Sequence, residues 1–143
     1  MKTIVETIYL PDRSARWPRP IFLTSVQAGF PSPAEDYVEG RLDLNRYLIK
    51  HPVATFYVRV AGDSMIDAGI HPGAILVVDR AVEADDGDIV IARVNDELCV
   101  KRLRIREGKV WLVPENNAYD SIEVTEEMDF EVWGRVMHSI HSH

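Results

Sequence analysis

The most regular pattern of apolar and polar positions begins at residues 54–60. Ala54, Phe56, Val58 and Val60 alternate with Thr55, Tyr57 and Arg59, and the stretch is rich in β-branched and aromatic residues, which predicts a strand. Residues 74–79, Ala-Ile-Leu-Val-Val-Asp, form a run apolar enough for a central strand. Asp85, Asp86, Gly87 and Asp88 make a turn, and a further strand is expected over 89–94. Asn95-Asp96 then supplies a hairpin turn into an alternating strand over 97–105. Glu107-Gly108-Lys109 turns the chain into residues 110–113, and residues 128–140 read as one long last strand, bulged at Gly134. Helical signals are sparse: Asp43 is a plausible N-cap, Leu44, Tyr47 and Leu48 share a face, and Pro52 ends the segment. Short strands at this spacing predict a mostly β fold, a compact curled sheet or partial barrel with one or two short helices. No internal repeat is present.

Residues 1–33 depart from this pattern. Pro11, Pro18, Pro20, Pro31 and Pro33 place five of the eight prolines there, and Arg13, Arg16 and Arg19 make the stretch locally basic. Ile4, Val5, Ile8 and Leu10 suit one short strand, but the proline density excludes a helix. The expectation is an extended arm that orders on docking, against the plainer reading of an ordinary loose terminus.

Composition narrows the function classes. The chain has 143 residues and 46% hydrophobic content, enough to fill the core of one domain. A net charge of -7 and a pI of about 5.2 argue against nucleic-acid binding by bulk charge, and no direct sequence-specific DNA binding is expected. No apolar run reaches the length of a membrane span, no basic-then-apolar leader opens the chain, and the single cysteine, Cys99, forms no internal disulfide. These features predict a cytoplasmic protein without a membrane partner.

Two residues stand out chemically. Ser64 follows Gly62-Asp63 at the end of the first predicted strand, on a turn whose backbone N–H groups lie outside any ladder and are suited to stabilising an oxyanion. Lys101 lies mid-strand on a face shared with Cys99, Leu103 and Ile105, where lysine is unusual. An ordinary lysine has a pKa near 10.4, so at pH 7 only about one in 2,500 is neutral. Burial penalises the ammonium and produces an amine able to take a proton from a serine hydroxyl. Each residue also has a bland explanation. Gly-Asp-Ser is an ordinary turn, and a strand lysine can extend its charge to water.

The combination decides more than either residue. Gly62-Asp63-Ser64-Met65, Asp79, Gly87-Asp88-Ile89-Val90, Val100-Lys101-Arg102-Leu103 and the run from Leu112 through Pro114-Glu115-Asn116-Asn117-Ala118 to Tyr119 resemble the self-cleaving LexA/UmuD family, in the same order and with similar spacing. Gly29-Phe30-Pro31-Ser32-Pro33-Ala34 and Asp43-Leu44-Asn45 are similar to its UmuD branch. The resemblance spans roughly residues 26 to 137, and the first twenty-five or so match poorly. It implies that Ser64 is the nucleophile, Lys101 the general base, and Ala28-Gly29 the bond that is cut. The UmuD branch carries Cys-Gly there; Ala-Gly is the LexA form. Cleavage would divide the chain into an arm, 1–28, and a β-rich peptidase domain, 29–143. The resemblance further implies a homodimer, self-cleavage promoted by a RecA filament on single-stranded DNA, and service of the trimmed dimer as accessory subunit of an error-prone translesion polymerase with a UmuC-type subunit, within the SOS response. No cofactor is implied. Some 35 residues, 29–63, separate Ala28 from Ser64, a tether on the order of 100 Å when stretched, so its length permits cutting within or between subunits.

Other chemistry is weaker. Asp85, Asp86 and Asp88 lack the bidentate glutamate of a calcium loop, and Cys99 has no histidine base nearby in sequence. His138, His141 and His143 form a tail cluster without cysteine or carboxylate partners, so no metal site is expected. The main competing function is a non-enzymatic β-domain that docks on a polymerase, with Ser64 and Lys101 structural. A repressor is disfavoured because 28 proline-rich residues cannot build a helix-turn-helix, and a signal peptidase because no membrane anchor is seen.

Overall fold

The computed structural model describes residues 3–12, 18–22 and 38–143, with 18–22 and 38–40 described by backbone alone. Two compact units result: Met1–Pro11 with His51–His143, and Asp12–Lys50.

The larger unit is built on eight antiparallel strands. In chain order they are β1 (Ile4–Tyr9), β4 (Thr55–Ala61), β5 (Ile75–Asp79), β6 (Ile89–Val94), β7 (Glu97–Arg106), β8 (Lys109–Val113), β9 (Ile122–Val124) and β10 (Phe130–Ile140). The labels β2 and β3 belong to the smaller unit. Neighbours run β1-β4-β5-β10-β6-β7-β8-β9, and β1 also meets β7 through Ile4 opposite Cys99. That last pairing closes six of the strands, β1-β4-β5-β10-β6-β7, into a barrel, with β8 and β9 continuing the sheet beyond β7. The mostly β expectation therefore holds, and the partial barrel is a closed one.

The period-two pattern explains the core. Phe56, Val58 and Val60 of β4 are buried with Leu76, Val78, Ile91, Val100 and Met65 in one cluster. Val90, Ala92, Cys99, Leu103 and Leu112 form a second. On β7, Val100 belongs to the first cluster and Cys99 and Leu103 to the second, so this strand is buried on both faces at its centre. Lys101 sits there.

Gly134 of β10 shows what a sequence bulge signal means in space. A Cβ at this position would lie 2.8 Å from Val78 Cγ1 and 3.0 Å from the Asp79 carbonyl oxygen, so β10 approaches β5 more closely than any side chain allows. The ladder with β6 shifts register between Val132 and Gly134, as the bulge reading anticipated, and the ladder with β5 shifts again between Val136 and His138.

The smaller unit holds β2 (Pro18–Phe22) paired antiparallel with β3 (Val38–Asp43), followed by α1 (Leu44–Leu48), the sole α-helix among the described residues. Asp43 is its N-cap, with Oδ1 accepting from the Asn45 N–H at 3.1 Å. β2 falls within the stretch 1–33 expected to be an extended arm, and β3 lies beyond it.

Candidate active site

Gly62 has φ 83°, a conformation open to glycine, and it turns the chain out of β4. Ser64 follows on that turn and is fully buried. Lys101 arrives from the centre of β7, 4% exposed. The structure brings the two together: Lys101 Nζ donates to Ser64 Oγ at 3.0 Å and to the Val100 carbonyl at 3.2 Å. The hydroxyl and amine lie within proton-transfer distance, out of bulk water, where desolvation weighs against the ammonium.

A second stretch fixes the serine turn. The Ser64 carbonyl accepts from the Glu115 N–H at 2.8 Å, and the Glu115 carbonyl accepts from the Asp67 N–H at 2.9 Å. Asn116 Nδ2 donates to the Asp63 carbonyl at 3.0 Å, and Tyr119 Oη donates to Asp63 Oδ1 at 2.6 Å. Glu115 is in turn held by Arg102 Nε, whose guanidinium also donates to the Gly87 carbonyl at 2.6 Å. Since the 63–64 peptide is trans, pinning its carbonyl on the Asn116 side sends the Ser64 N–H the opposite way. This backbone is pre-set before any substrate arrives, the condition for electrostatic stabilisation without reorganisation.

The Tyr119 hydroxyl holds the Asp63 carboxyl below the usual carboxylate range. Reciprocally, the Asp63 carboxylate raises the Tyr119 phenol. Asp79, matched in sequence but given no role there, is 2% exposed and accepts from the Ala81 N–H at 2.8 Å, with His51 Nδ1 2.6 Å from its other oxygen. It shapes the end of β5 rather than the serine turn.

One contact was not anticipated. The Thr3 N–H, just before β1, donates to Ser64 Oγ at 2.8 Å, and Thr3 is fully buried. Asn116 and Tyr119 lie in the 112–119 run that carries the family resemblance, without a role assigned to them there, and no sequence signal marks Thr3. Ala28 and Gly29 lie outside the described residues. In the histidine-rich tail, His141 packs near His71 and His143, with ring centroids at 4.6 Å and 5.5 Å.

The serine–lysine pair is set on a β barrel. The Peptidase S24-like family model matches residues 20–137. The chain belongs to the Peptidase S24-like family. Protein SamA of Salmonella typhimurium is 46% identical over 122 residues, covering 85% of this chain and 84% of SamA. Protein MucA of Escherichia coli is 42% identical over 125 residues, covering 87% of this chain and 85% of MucA. A LexA repressor of Stenotrophomonas maltophilia is 38% identical over 125 residues, 87% of this chain but 57% of the repressor. Within the S24-like peptidases the chain is UmuD-like, of the group that serves SOS mutagenesis. No helix among the described residues is long and apolar enough to cross a membrane.

Proposed function

We propose that this S24-like protein cuts its own Ala28-Gly29 bond with Ser64 as nucleophile and Lys101 as general base. Neutral Lys101 takes the Ser64 hydroxyl proton, and Oγ attacks the Ala28 carbonyl carbon. Backbone N–H groups of the 62–64 turn receive the oxyanion. The Lys101 ammonium returns its proton to the Gly29 nitrogen as the C–N bond breaks, leaving residues 1–28 esterified to Ser64. A water, deprotonated by Lys101, then hydrolyses the ester. Small residues at 28 and 29 suit close approach of the backbone to Oγ. The observation that carries this reading is the 3.0 Å contact between two buried groups, Nζ and Oγ.

The UmuD-like membership supports the wider role. The trimmed product, 29–143, acts as a cytoplasmic homodimer that joins a UmuC-type subunit in translesion synthesis, and an activated RecA filament on single-stranded DNA triggers the cut. Intact-mass spectrometry of purified protein, with and without such a filament, tests the reading. Wild type should lose residues 1–28, faster with filament, while Ser64→Ala and Lys101→Ala stay whole and folded. Loss of the arm in Ser64→Ala excludes this serine.

A further inference from the structure

We propose that the N-terminal strand is a resident competitor of the scissile segment, holding the nucleophile silent until it is displaced. The inference rests on the reading of Ser64 as nucleophile and deepens it by naming what regulates that site.

A carbonyl carbon under attack must come within about 3–3.5 Å of Oγ. The Thr3 nitrogen already stands 2.8 Å from Ser64 Oγ. Two backbones cannot share that space, and Thr3 offers the serine an N–H donor rather than an electrophilic carbon. The hydrogen bond also engages a lone pair that attack requires. Occupancy by Thr3 and cleavage at Ala28-Gly29 are therefore mutually exclusive.

The seat is built by strand addition. Ile4 pairs with Ala61 of β4 on one side and Cys99 of β7 on the other, and Val5 pairs with Val60. An extended backbone is what such a slot accepts, and any second extended segment enters it by the same ladder. Removal of β1 opens the barrel beside Ser64 and Lys101.

The occupant is held imperfectly. Thr3 Oγ1 is buried and has no hydrogen-bond partner among the described residues, a defect that weakens the strand's hold. The ladder is interrupted between Val5 and Thr7, and beyond it Ile8 and Tyr9 are exposed. The ladder with β4 resumes over Thr7–Tyr9, so beyond Thr3 the strand is held by backbone pairing with little side-chain burial, as a displaceable plug requires.

Two substitutions at one position should move cleavage in opposite directions. Thr3→Pro deletes the N–H that reaches Oγ. Thr3→Val keeps the shape and deletes the orphaned hydroxyl. Spontaneous cleavage at mildly alkaline pH, followed by intact mass, should run several-fold faster in Thr3→Pro and several-fold slower in Thr3→Val, since the rate scales with the fraction of molecules whose site is open. Thr3→Pro combined with Ser64→Ala should remain uncut. If wild type cleaves and both folded Thr3 variants match its rate, the plug is overturned and the Ser64 reading stands. If no variant and no wild-type sample is cut, both fall together. Should Thr3→Pro melt before the assay, Thr3→Val decides alone, and a rate equal to or above wild type overturns the plug.

Discussion

At the scale of single residues, the account turns on an amine that must lose its charge where it sits. Lys101→Arg places an always-protonated guanidinium beside Ser64 and removes the base while keeping a cation. We expect a folded protein that no longer cuts itself, read by intact mass alongside a thermal melt; undiminished cleavage would contradict the role of a neutral base. A second prediction concerns the clamp. The Tyr119 hydroxyl lowers the Asp63 carboxyl, so this contribution to stability is complete above the ordinary aspartate value near 3.9 and is lost as pH falls through the lowered one. For the raised Tyr119 phenol the sign reverses: its contribution is complete below about 10 and lost as pH rises through its raised value. Tyr119→Phe should return Asp63 upward in an NMR carboxyl titration and slow cleavage by loosening the serine turn. An unmoved Asp63 would remove Tyr119 from the site. Ser64 and Lys101 were singled out in the sequence by the combination of their motifs, since a serine on a glycine turn and a lysine in an apolar strand each have an ordinary explanation alone. The contacts of Thr3, Asn116 and Tyr119 with the serine turn were not legible, because they span 61, 53 and 56 positions; Asn116 and Tyr119 stood out only as part of the run that carries the resemblance.

At the scale of elements, alternation identified the strands that carry the core. It worked for β4, where buried and less buried positions alternate from Phe56 to Ala61; β6 and β7 are buried at consecutive central positions, and their apolar runs between turn residues marked them instead. It failed for β9, whose three residues are too few to show a period. It gave no strand at β2, where Pro18 and Pro20 were read only as excluding a helix from an extended arm; both sit in an extended strand of a two-stranded sheet that tolerates them. The bulge expected at Gly134 has a steric cause in Val78 and Asp79. Gly134→Ala should therefore destabilise the barrel by about 1–3 kcal/mol through overpacking, seen as a lower denaturant midpoint with unchanged slope. A midpoint equal to wild type would mean that β5 and β10 separate easily. In the same way Leu112→Ala, at a fully buried position, should cost about 2–5 kcal/mol.

At the scale of the whole molecule, the closed barrel depends on a pairing that joins the two ends of the six-strand spatial order, β1 with β7. Composition and periodicity predicted a curled sheet and stopped short of closure, because which edges meet is decided by long-range packing. The closing strand enters the site itself, so barrel integrity and access to Ser64 are set by one element. The most direct test of the central claim is an intact-mass time course of purified wild type and Ser64→Ala across rising pH. The account predicts loss of residues 1–28 from wild type, with a rate that climbs from pH 7 toward about 10 as Lys101 sheds its proton, and an unchanged Ser64→Ala. A cut Ser64→Ala chain, or a wild-type rate that stays flat over that range while the protein remains folded, would contradict it.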